Sequence, residues 1–219
     1  YDDSRMLAGK DLEQGGTWFG ITRSGRFAAL TNFRDPSAIK PKAPSRGQII
    51  PDFLETDVAP DAFCPVLQES AAIYNGYNLL FGTIKNLYWF SNVKKKCQEV
   101  QPGIHGVSNR FIDSEWPKVV NGKQQLENII SREFGTEAVF ELLSNKEVPD
   151  DKMLPDTGIG LEWERILSPL FVSSQGYGTR SSIVLLIDKM ASVSITERTY
   201  SAGSTAEYTD REFHFDTVL

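Results

Sequence analysis

The chain has 219 residues, 40% of them hydrophobic and 24% charged, with 29 acidic against 23 basic side chains and a formal net charge of −6. That balance suits one globular domain and excludes global disorder. It also argues against a nucleic-acid partner, because backbone binders gather Lys and Arg, and no apolar stretch approaches the ~20 residues of a membrane-spanning helix.

In chain order, residues 1–14 read as polar and irregular. Thr17–Thr22 and Arg26–Thr31 read as strands of a β-hairpin around Ser24-Gly25. The pair Gly15-Gly16 permits positive φ and close backbone approach, so a tight turn is expected there, entering the strand with Trp18 in the core. No Gly-Lys-Ser/Thr follows, so this is no phosphate loop. Pro36, Pro41 and Pro44 mark an extended loop over 34–48. Ser45–Leu54 opens an amphipathic helix with Pro51 in its first turn, and residues 60–73 form a second helix. Tyr77–Phe81 and Leu87–Phe90 make another hairpin around Gly82–Asn86. Lys94-Lys95-Lys96 is the only basic run and reads as a solvated turn. Gly103–Asn109 is expected as a short strand leaving a turn. Helices are expected at 115–133 and 136–145, a loop over 146–158, a helix over 160–167, and strands near 180–188, 192–200 and 206–215. Blocks of hairpins and helices, rather than regular βαβ units, predict an α+β fold with mostly antiparallel sheet. No repeat and no dividing linker is visible, so a single domain over 1–219 is expected.

The two cysteines, Cys64 and Cys97, form no CxxC zinc motif and are too few to staple a secreted fold. Buried thiols in a reducing compartment are the expectation. No HExxH or GxSxG occurs, and no metal site is expected. Three polar residues sit at the ends of apolar runs: Asn32 after Phe27–Thr31, Asn109 after Ile104–Ser108, and Arg180 ahead of Ser181–Leu186. An Asn amide can donate to a developing oxyanion, and an Arg can hold a carboxylate or lower the pKa of a nucleophile. Each also has a plain structural role, as a turn cap or an ion-pair partner. His105 lies in a turn-like segment and His214 in an alternating strand; either has the chemistry of an axial haem ligand. Glu162–Arg165 reads as helix-end ion pairing.

Several runs then carry a resemblance: Leu7–Trp18, Gly25–Pro36, Ser45–Gly47, Tyr77–Leu80, Gly106–Asn109, Trp116–Lys118, Leu154–Gly158, Glu164–Ser168 and Tyr177–Arg180. In this order they resemble the NRDE family, also called the Transport and Golgi Organization protein 2 family. Members begin Met-Cys, then a strand, then the Asn-Arg-Asp-Glu motif, so that segment is expected ahead of Tyr1. The resemblance implies an αββα sandwich like that of N-terminal-nucleophile hydrolases, with Asn32, Asn109 and Arg180 as the matching catalytic-site positions. It also implies a ligand pocket, for which Trp18, Arg34, His105 and Tyr177 are the candidate lining residues. The function implied is binding and trafficking in the cytoplasm, with haem as a candidate cargo and no fixed cofactor. A cysteine-type amidohydrolase acting on a linear amide and a scaffold in secretion are the alternatives.

Overall fold

A computed structural model describes residues 6–201 and 204–218. The chain divides into two compact units. Of the described residues, the first comprises 6–103, 107–112 and 216–218; the second comprises 104–106, 113–201 and 204–215. The expected α+β class with antiparallel sheets is observed.

The first unit holds a six-stranded antiparallel sheet: β1 (Met6–Ala8), β2 (Phe19–Thr22), β3 (Arg26–Asn32), β4 (Tyr77–Thr83), β5 (Leu87–Ser91) and β6 (Lys96–Val100). Spatial order follows chain order. The β2–β3 hairpin forms as expected, and Gly25, with φ of 75°, makes its turn. Helices α1 (Ile49–Leu54) and α2 (Pro60–Ser70) fill the connection from β3 to β4. Pro51 does lie in the first turn of α1, and Pro60 opens α2, where its missing N–H costs nothing.

Strand alternation decides what the helices cover. Tyr77, Leu79, Phe81 and Phe90 point to one face and pack with Phe53, Phe63 and Leu67 from the helices. Phe53 meets Phe81 edge-on at 5.1 Å and Phe63 at 5.2 Å between ring centres. Each fully buried ring contributes about 1.5–3 kcal/mol. Asn78, Leu80, Trp89 and Ser91 alternate to the opposite face. Residues 216–218 also belong to this unit: the Val218 amide donates to the Arg23 carbonyl at 2.9 Å.

The second unit contains α3 (Pro117–Ile130), α4 (Thr136–Leu143), α5 (Leu161–Ile166) and a three-stranded sheet in the order β11-β10-β9. These strands are β9 (Ser181–Ile187), β10 (Ser192–Tyr200) and β11 (Tyr208–Asp216); a two-stranded ribbon of β7 (Ser173–Ser174) and β8 (Tyr177–Gly178) precedes them. The β9–β10 register runs from Val193 opposite Ile187 to Thr199 opposite Ser181. Phe171 packs edge-on to Tyr200 at 4.8 Å. In α5, Glu164 turns inward and accepts from the Thr157 amide and hydroxyl at 2.8 and 2.6 Å, while Arg165 pairs with Asp151.

Several expectations are corrected. Residues 103–109 form bends and no strand, because their polar groups bond to neighbouring segments instead of a ladder. Met6–Ala8, expected irregular, pair with β2 as an edge strand. The basic run is split, with Lys94 and Lys95 in a turn and Lys96 opening β6. The cysteines are not free thiols: Cys64 of α2 and Cys97 of β6 form a disulfide with Cα atoms 5.9 Å apart, inside the range such a bridge spans. Helix packing on the sheet brings them together across a separation of 33 residues.

Candidate functional site

At the end of β3 the sheet hands over to a second piece of backbone. The Thr31 hydroxyl donates to the Ser108 carbonyl at 2.8 Å. The Arg34 amide donates to the Asn109 carbonyl at 2.8 Å, and Asn78 Nδ2 donates to the Arg110 carbonyl at 2.8 Å. Three successive carbonyls of the Val107–Ile112 segment are thereby fixed to the sheet, so its side chains project from a preorganised base.

Asn109 is the hub. Its Nδ2 donates to the Asn32 carbonyl at 2.9 Å, and its Oδ1 accepts from Arg34 Nη2 at 3.4 Å. Three of the sequence-derived residues, Asn32, Arg34 and Asn109, thus meet at one sheet end. Asn32 is exposed, and Arg34 and Asn109 are half-buried. Beside them Phe111 packs on Phe33 at 4.9 Å and edge-on to Trp89 at 6.3 Å. The corner therefore offers guanidinium and amide donors next to an aromatic pair, a combination suited to an amphipathic ligand with a polar end.

Sequence reasoning passed over Asn78, which is 1% exposed. Its Oδ1 has no hydrogen-bond partner among the described residues, nor do Trp89 Nε1 and Ser91 Oγ. Asn78 and Ser91 face each other across β4–β5, and Trp89 lies two residues from Ser91 on the same face. The available signal was an amide inside the otherwise apolar run Tyr77–Phe81.

Trp18 is 44% exposed and is not the core residue expected. The strand begins one residue later, and the ring lies over Gly9, where an added Cβ would stand 3.1 Å from it. Paired glycines do give the close approach: a Cβ on Gly16 would stand 2.4 Å from the Gly47 carbonyl carbon.

The second unit carries Arg180, Tyr177 and His105. Arg180 is exposed just ahead of β9, and its carbonyl accepts from the Tyr200 amide at 3.0 Å. Tyr177 is 57% exposed and meets Trp163 edge-on at 6.2 Å. His105 Nδ1 lies 2.7 Å from Asp113 Oδ2, which fixes the ring as carboxylates do for ligating imidazoles. Partial burial works to raise the Asp113 carboxyl, but hydrogen bonds from Lys123, His105 and the Gly106 amide outweigh it and hold the group below the ordinary carboxylate range. Among the described residues no group of three or more His, Cys, Asp or Glu is placed to hold a metal ion, and no helix is long and apolar enough to cross a membrane.

Residues 1–202 match the family described as Transport and Golgi organisation 2. The chain belongs to that family. The Transport and Golgi organization protein 2 homolog of Bos taurus is 28% identical over 98% of this chain and 85% of its own length, and that of Homo sapiens 27% identical over 98% and 84%. The Mus musculus homolog is 25% identical over 98% and 84%. In this Transport and Golgi organisation 2 chain, the Asn32–Arg34–Asn109 corner is assembled from two of the blocks that carried the resemblance.

Proposed function

We propose that this chain is a binding and trafficking protein that carries a small amphipathic molecule, with haem as the candidate cargo. The observation that supports it most is the Asn109 hub: one side chain ties the Asn32 carbonyl and the Arg34 guanidinium into a fixed polar cluster beside Phe33 and Phe111. A carrier needs such a preorganised polar rim and an apolar wall, without a covalent step. Within the second unit, considered by itself, His105, whose ring Asp113 orients, and Tyr177 and Arg180 are proposed as ligand contacts of that unit. The αββα layering of N-terminal-nucleophile hydrolases belongs to the same reading. Asn109 already engages both ends of its amide, the wiring of a positioning group. That favours carriage over the amidohydrolase alternative, which asks the same amide to serve a developing oxyanion.

The test is titration of haem into the full-length protein, read by absorbance and by thermal melting. Binding shifts the haem spectrum and raises the melting temperature with ligand concentration. An unshifted spectrum and an unchanged melting curve in excess haem overturn the proposal. Release of an amine from a linear amide, abolished by substituting an N-terminal Cys, would replace it with the hydrolase.

A further inference from the structure

The chain is acidic overall, with a net charge of −6, yet cations gather around one aromatic side chain. Arg110 holds its guanidinium carbon 5.1 Å from the centre of the Phe33 ring and 5.4 Å from that of Phe111. Lys94 Nζ lies 3.9 Å from the same Phe111 ring. Arg46 Nη1 donates at 3.0 Å to the Gly76 carbonyl, which also accepts the Phe33 amide at 2.9 Å. Arg34 follows Phe33 directly.

Among the described residues, no carboxylate forms an ion pair with Arg46, Lys94 or Arg110. Asp35, the acid nearest Phe33 in sequence, accepts instead from the Ser37 hydroxyl at 2.6 Å. Arg110 and Lys94 share the Phe111 ring, whose face attracts each cation but neutralises neither. Arg46 adds to the imbalance: it is half-buried, and desolvation lowers its pKa from the ordinary arginine value. The Arg110 backbone is meanwhile pinned by Asn78, so its side chain starts from a fixed point. Preorganised, unneutralised guanidinium and ammonium groups are what recognises a phosphate or a pair of carboxylates.

We propose that the Phe33 corner of the first unit is an anion site, which takes a multiply charged oxyanion of a small ligand on Arg110, Lys94 and Arg46, with the aromatic pair against the ligand's apolar part. This rests on the carrier reading and narrows it, since the cargo must carry two or more negative charges at one end. The two carboxylates of a haem satisfy that demand, and so does a phosphorylated amphiphile.

The experiment is calorimetric titration of the full-length protein with pyrophosphate and, separately, succinate, with ionic strength held constant by chloride. Saturable binding of either probe is expected, and the Arg110→Gln/Lys94→Gln variant weakens it by about tenfold or more, as loss of charged hydrogen bonds does. Lys94→Gln alone, on an exposed turn, gives a smaller loss in the same direction and guards against a folding defect in the pair. The proposal is overturned if neither probe binds or if the variants bind like wild type. Haem titrated in parallel separates the two ideas. A spectral shift without oxyanion binding overturns the anion site and leaves the carrier, whereas oxyanion binding without a haem shift keeps the site and discards haem.

Discussion

Arg198 on β10 grips Glu137 on α4 through two parallel bonds, Nη1 to Oε1 at 2.9 Å and Nη2 to Oε2 at 2.8 Å. The same guanidinium bonds Asp210 on β11 at 2.9 and 2.8 Å. It sits 4.1 Å from the Phe140 ring centre and 3.7 Å from that of Tyr208. One side chain, 6% exposed, thus ties a helix and two strands of the second unit together. Arg198→Ala should lower stability by about 1–3 kcal/mol, because it removes the charged hydrogen bonds and the stem that packs on Phe140 and Tyr208, while the carboxylates left behind can rehydrate. Urea unfolding followed by circular dichroism measures this. Arg198→Lys should recover only part of the loss, because an ammonium cannot make the double fork.

The same cluster sets an acid dependence. Hydrogen bonding from Arg198 holds the Glu137 carboxyl below its ordinary value of 4.5, against a smaller opposing effect of burial. A carboxyl depressed in the folded state stabilises fully above its unfolded value, and that contribution fades as pH falls through the lower folded value. Melting temperatures of wild type and Glu137→Gln should therefore differ at neutral pH, with the gap beginning to close as pH falls below the ordinary carboxyl value and vanishing only below the depressed folded one. A constant gap across that range would contradict the assignment.

Asn109→Ala removes the donor to Asn32 and the acceptor for Arg34 together. A stability loss of about 1 kcal/mol is expected from the half-buried bonds. Asn109→Asp keeps the acceptor and loses the donor, so it should fall between wild type and Ala in thermal melts. If the corner binds ligand, affinity for haem should drop further than stability does.

Gly16→Ala should cost about 3 kcal/mol, at the upper end of overpacking penalties. The added methyl would meet Gly47 backbone at 2.4 Å, and backbone on both sides cannot swing away as a side chain would. A melting temperature within a degree or two of wild type would show that the two loops separate freely.

The Cys64–Cys97 bridge closes a loop with a separation of 33 residues. Chain entropy assigns such a crosslink about 3–4 kcal/mol. Denaturant midpoints of the full-length protein, measured with and without dithiothreitol and in the Cys64→Ser/Cys97→Ser variant, should shift together by that amount. An equal midpoint under oxidising and reducing conditions would mean the pair adds nothing to stability.

Much of the architecture was legible because it is written in local periodicity. The apolar runs Tyr77–Phe81 and Leu87–Phe90, with a glycine-containing loop between, marked the hairpin. Pro51 marked the first turn of a helix. What escaped depends on partners distant in sequence. β6 carries Lys96 and Glu99 among few apolar residues, so only its place beside β5 makes it a strand. The disulfide depends on that strand and was hidden with it. Of the candidate site, Asn32 and Asn109 stood out as polar ends of apolar runs, and their hydrogen bond follows from a loop returning across 77 residues. Asn78 stayed hidden because a strand interior gives no hint of which face will be closed. Trp18 misled for a related reason: a large aromatic ring beside a strand carries no mark of the single residue by which it precedes the ladder.

The Val218–Arg23 bond ties residues 216–218 to the β2–β3 turn, and Thr217 stands 3.4 Å from where a Cβ on Gly25 would be. A truncation ahead of Asp216 therefore disturbs the β2–β3 hairpin. Any loss of solubility in shortened variants should be traced first to that stitch.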